Sequence, residues 1–147
     1  MTRQHYIAKR RTSPPGKRAK LQPSLALVLV VGDEEFMRLA LADVVTAEGF
    51  RVLEARDGSV ALDILRAGLR PSLILVDLTT PKMDGRAFGL EQSKDPALRQ
   101  IATVVLTDTR VNPDRPGQQT ERITRMAKPI NYDDLAALLD RHCAEAA

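Results

Sequence analysis

Short apolar runs recur along this chain, and stretches with helical spacing alternate with them. The runs are Leu25–Val31, Phe50–Glu54, Leu73–Val76, Ile101–Leu106 and Arg122–Ala127. They are near-continuous in apolar character rather than alternating, which fits strands buried on both faces. Between them, Met37, Leu41, Val44 and Val45 recur at helical spacing, and Gly49 supplies a stop. Ser59 is expected to cap a second helix with Ala61, Ile64 and Leu65 inward, ending at Gly68. Asp84 opens a third helix bearing Ala87, Phe88 and Leu90. Asn131 caps a last helix, with Asp134 three residues on and Leu135, Leu138 and Leu139 inward.

Strand–helix alternation implies a parallel sheet covered on both faces. Right-handed crossovers then leave few topologies. The expected fold is α/β: a five-stranded, doubly wound parallel sheet of the flavodoxin-like kind. One helical slot is degraded. Residues 108–121 hold Pro113, Pro116 and Gly117, and Val111 is their only large apolar residue. A helix there would bury almost nothing, so a loop or a short mobile helix is expected.

Charge divides the chain. Residues 1–24 carry seven Lys and Arg and no acid, leaving 15 basic and 19 acidic residues in the remainder, a net of −4. Pro14, Pro15, Gly16 and Pro23 interrupt that basic stretch. The expected organisation is a disordered basic tail over 1–24, one domain over 25–143 and a short tail over 144–147. The basic charge belongs to the tail, so direct DNA binding by the domain is not expected. No apolar stretch is long enough to span a bilayer. The single Cys143 has no internal disulfide partner, which favours a reducing cytoplasm.

The run Leu73–Val76 stops at a carboxylate, Asp77, although a charge is costly to desolvate. In open α/β sheets, ligands sit beyond the carboxyl ends of the strands. The residues at those ends are Asp33 after strand one, Asp77 after strand three, Thr107 at strand four and Lys128 after strand five. Asp33 and Asp77 could hold a hard divalent cation, with Mg²⁺ the usual candidate. A carboxylate beside a metal can attack phosphorus. Lys128 and the Thr107 hydroxyl would then stabilise the charge on the transferring group. Each residue also has an ordinary use: Asp33 as an N-cap, Asp77 in a turn, Thr107 in a strand, Lys128 at the surface.

The stretches "LVLVVGDEEFMR", "EGFRVLEARDGSVALDIL", "PSLILVDLTTPKMDG", "ATVVLTDT" and "MAKPINYDDL" resemble the receiver domain of bacterial two-component response regulators. They cover nearly all of residues 25–143. The resemblance implies Asp77 as phosphoacceptor, Asp33 as metal ligand, the Thr79 carbonyl as a further ligand, Thr107 as switch hydroxyl and Lys128 as phosphate partner. It implies a histidine kinase or a histidine phosphotransfer protein as phosphodonor, and signalling by docking onto a downstream protein. Enzymatic turnover would be limited to slow self-dephosphorylation.

Three departures stand out. Gly32 replaces the first of two usual acids, which should weaken Mg²⁺ binding. Arg125 occupies the position of the switch aromatic. The fourth helical slot is degraded, and the expectation is that residues 108–121 order around a phosphorylated Asp77 through Arg110, Arg115 or Arg122. Four residues follow Cys143, so a stand-alone receiver is expected. Two alternatives remain: a pseudo-receiver that binds partners without phosphorylation, and, more remotely, a phosphohydrolase of the haloacid-dehalogenase kind, suggested by "DLTT".

Overall fold

The computed structural model describes residues 26–79, 83–107 and 122–144. Five strands form one sheet: β1 (Leu27–Gly32), β2 (Arg51–Ala55), β3 (Leu73–Asp77), β4 (Thr103–Thr107) and β5 (Ile123–Ala127). Their order is β2-β1-β3-β4-β5, and every neighbouring pair is parallel. This is the expected doubly wound, flavodoxin-like arrangement. Four helices belong to the described residues: α1 (Glu35–Ala47), α2 (Gly58–Arg66), α3 (Gly85–Ser93) and α4 (Tyr132–Ala144).

The pleat of β1 and β3 distributes their side chains between two cores. Val28, Val30, Leu73 and Leu75 face one way, with Val104 and Leu106, against Leu41, Val44 and Val45 of α1 and Leu135 and Leu139 of α4. Leu29, Val31, Ile74 and Val76 face the other way, against Ala61, Leu62 and Leu65 of α2 and Phe88 of α3. Cys143 is fully buried in the first core.

Turns and caps set the element ends. Gly49 and Gly68 take φ of 97° and 117°, the left-handed region where a side chain is costly, and each follows a helix. Asn131 Oδ1 accepts from the Asp134 N–H at 3.0 Å, as expected. Asp84 Oδ1 likewise accepts from Ala87 N–H at 2.9 Å.

One cap assignment is corrected. The cap of α2 is Asp57, whose Oδ1 accepts from Val60 N–H at 2.8 Å, not Ser59. Asp57 has the extended backbone a cap needs, whereas Ser59 already lies inside the helix. Of the apolar residues read on α3, Phe88 is fully buried and Leu90 is 57% exposed. β1, β2 and β4 run one to two residues later than read, β5 starts one residue later and ends as read, and β3 starts as read and includes Asp77. The expectations for residues 1–24 and 108–121 lie outside the described residues. No helix of the described residues is long and apolar enough to cross a membrane.

Candidate functional site

Strand pairing places the site. Gly32, the last residue of β1, pairs with Asp77, the last residue of β3. Thr107, the last of β4, pairs with Ala127, the last of β5. Lys128 follows immediately, and its N–H donates to the Thr107 carbonyl at 2.8 Å. The Lys128–Pro129 peptide is cis. All four strand ends therefore share one edge of the sheet.

Two of the expected side chains meet there. Lys128 Nζ lies 2.5 Å from Asp77 Oδ1, with the Asp77 side chain 4% exposed and that of Lys128 29% exposed. Asp77 Oδ1 is buried and accepts no well-aligned hydrogen bond, so the ammonium is its counter-charge. That pairing answers why an apolar strand can end on a carboxylate: the nearby cation offsets its desolvation.

Asp33 joins the group through the chain just beyond Asp77. Its Oδ2 accepts from Thr79 N–H at 2.8 Å, and its Oδ1 from the Thr79 hydroxyl at 3.2 Å. Asp33 is thus no helix cap. The residue at the cap position of α1 is Glu34, which makes no side-chain capping bond. Thr107 is half-buried at the same edge and tied to Lys128 through its carbonyl.

Two features were not legible in the sequence. Arg38, on the first turns of α1, donates from Nη1 to the Gly32 carbonyl at 3.0 Å and from Nε to Glu54 Oε1 at 3.1 Å. A Cβ on Gly32 would lie 3.1 Å from the Arg38 Cβ, so the absent acid and the arginine occupy neighbouring space. The other feature is the Thr79 hydroxyl, expected only as a carbonyl donor. Arg125 of β5 packs partly inward beside Val105 and Ile123, with Leu90 and Arg86 of α3 across a groove. Its Nε is buried with no hydrogen-bond partner among the described residues.

The donor set suits a hard cation. Asp33, Asp77 and the main chain at Thr79 offer oxygen, which is what Mg²⁺ takes. Among the described residues no cluster of three or more His, Cys, Asp or Glu could hold a metal, so such a site rests on two carboxylates.

Residues 28–140 match the family model described as the response regulator receiver domain. The chain is 30% identical over 110 residues to sporulation initiation phosphotransferase F of Bacillus subtilis, covering 74% of this chain and 86% of that protein. It is 29% identical over 126 residues to the sensor histidine kinase CheAY of Helicobacter pylori, covering 84% of this chain but only 16% of the kinase. A CheY-like receiver domain protein from Methanospirillum hungatei superposes with a TM-score of 0.69 at 27% identity, over 82% of this chain and 95% of that one. Sheet order, strand-end chemistry and family match agree, and the chain belongs to the response regulator receiver domain family.

Proposed function

We propose that the domain is a phosphoryl-accepting switch of a two-component system, with Asp77 as the acceptor. The observation that carries this reading is the buried Asp77 carboxylate with Lys128 Nζ 2.5 Å away. The donor is a phosphohistidine on a histidine kinase or a phosphotransfer protein. An Asp77 oxygen attacks phosphorus, the P–N bond breaks, and the departing imidazole takes up a proton. Lys128 and the Thr107 hydroxyl meet the charge that builds on the equatorial oxygens. Asp33, Asp77 and the Thr79 carbonyl would hold Mg²⁺, which when bound supplies further positive charge to the transferring group. The aspartyl-phosphate then alters docking onto a downstream protein. The expected setting is the cytoplasm, and turnover is limited to slow loss of the phosphoryl group.

A second reading has its own observation. Arg38 holds the Gly32 carbonyl where the family carries an acid, which favours a pseudo-receiver that docks without phosphorylation. One experiment separates the two. With Mg²⁺ and a small phosphodonor such as phosphoramidate, the first reading expects a mass gain of about 80 Da, absent in Asp77→Asn. No gain under conditions that label a control receiver would establish the second.

A further inference from the structure

Asp33 and Thr79 lie 46 residues apart in sequence, yet two donors of Thr79 reach the two oxygens of one carboxylate. Thr79 is exposed, so its hydroxyl has water as an alternative partner and bonds Asp33 regardless. The backbone N–H at 2.8 Å and the hydroxyl at 3.2 Å present the positive ends of their dipoles to Asp33. A divalent cation needs the same oxygens. It repels those dipole ends, and Mg²⁺ draws its ligands to about 2.0–2.1 Å in near-octahedral order. A lone pair that accepts the hydroxyl proton is not available to the metal, which must approach another lone pair of that carboxylate or displace the hydroxyl.

The other carboxylate is also engaged, since Asp77 faces Lys128. Both acids of the cradle therefore hold internal partners. A third acid that could compensate is missing at Gly32, and Arg38 packs against that position.

We infer that Thr79 is a positioning residue that latches Asp33 in the resting chain, and that a divalent cation enters by displacing the Thr79 hydroxyl from Asp33. Cation affinity is then set by the latch as well as by the absent carboxylate. Thr79 acts in two senses: its carbonyl is a candidate ligand, while its hydroxyl competes with the metal. The inference rests on the magnesium-binding reading of the site.

The test uses the full chain and Mn²⁺ as probe, with free Mn²⁺ read by electron paramagnetic resonance. Thr79→Val keeps the branched shape and removes the hydroxyl. It is expected to bind Mn²⁺ about 3- to 10-fold more tightly than the wild type, the range one modest hydrogen bond spans. Thr79→Ala should move the same way, and Thr79→Ser should stay near the wild type. In the wild type, saturating Mg²⁺ should shift the Thr79 amide proton upfield as its bond to Asp33 weakens. Equal or weaker Mn²⁺ binding by Thr79→Val and Thr79→Ala would overturn the latch while leaving the metal site standing. If neither the wild type nor Gly32→Asp binds Mn²⁺, the metal reading falls and takes the latch with it. Circular dichroism identifies a variant that fails to fold. The remaining variant and the wild-type amide shift then decide.

Discussion

At the scale of single residues, the Asp77–Lys128 pair concentrates most of the risk in this molecule. A carboxylate only 4% exposed depends on one ammonium that is itself 29% exposed. Removing one partner of a buried pair leaves an uncompensated charge, and that effect exceeds the net worth of the pair. Lys128→Met keeps the aliphatic stem and removes the charge. We expect it to destabilise the fold by about 1–3 kcal/mol, below the usual cost of breaking a fully buried pair because Lys128 is partly solvated. Adding Asp77→Asn should recover most of that loss, since it removes the stranded charge. Urea unfolding of the two single variants and the double variant checks this. Additive losses in the double variant would mean that the pair is not energetically coupled. The strand-end rule made Asp77, Asp33, Thr107 and Lys128 legible in the sequence. It was silent on Arg38 and on the Thr79 hydroxyl, because their roles depend on which partner a flexible side chain selects. Arg38 bridges Gly32 and Glu54, and no periodicity encodes such a bridge.

At the scale of elements, β1, β3 and β4 were legible because burial on both faces leaves an apolar run no other stable use, whereas β2 and β5, at the ends of the sheet, are only partly buried. The third helix was read without assigning its faces. Phe88 and Leu90 are two residues apart, and at about 100° per residue they point in nearly opposite directions. Only one of them can face the core, and it is Phe88. The join between α3 and β4 was invisible in the sequence, since it depends on a buried glutamine. Gln92 is 2% exposed. Its Nε2 donates to the Leu98 carbonyl at 2.9 Å, to the Ile101 carbonyl at 3.3 Å and to Thr103 Oγ1 at 3.0 Å. A polar residue at a core position reads as an error in the pattern, but here it satisfies the main chain of the α3–β4 connection. Gln92→Ala would remove one donor from each of those acceptors, although the Leu98 carbonyl still accepts from the Ile101 N–H at 3.0 Å and the Ile101 carbonyl from the Thr103 hydroxyl at 3.0 Å. The expected loss is about 1–2 kcal/mol, because the remaining donors soften it, and urea unfolding measures it. A loss below about 0.5 kcal/mol would show that water takes over the contacts. The salt bridge from Arg66 of α2 to Glu91 of α3, at 3.7 Å, is a weaker link between neighbouring helices. Lys94 holds the Glu91 carboxyl below its usual range through a hydrogen bond and its charge. Any stability this adds is present above the ordinary Glu range, is lost as pH falls through the lowered value, and is screened by salt.

At the scale of the whole molecule, the site exists only because the sheet gathers segments far apart in sequence. Asp33, Asp77, Thr107 and Lys128 share an edge through the order β2-β1-β3-β4-β5. The same sheet separates two cores, and β3 is common to both. Leu75 packs into the core of α1 and α4, and Ile74 into that of α2 and α3, each with no exposed surface. Three residues after Ile74 and two after Leu75, the same strand carries Asp77. If the sheet transmits packing between its faces, loss of either side chain should loosen both. Ile74→Ala and Leu75→Ala are each expected to cost about 2–5 kcal/mol, the range for deleting a large buried aliphatic group. In a two-state domain the loss must reach every strongly protected amide. Hydrogen exchange should therefore show α1 and α2 losing protection equally in both variants. Suppose instead that Ile74→Ala loosens α2 and α3 while α1 and α4 keep their wild-type protection. The two cores would then be separate folding units, and the Asp77 edge would rest on only one of them.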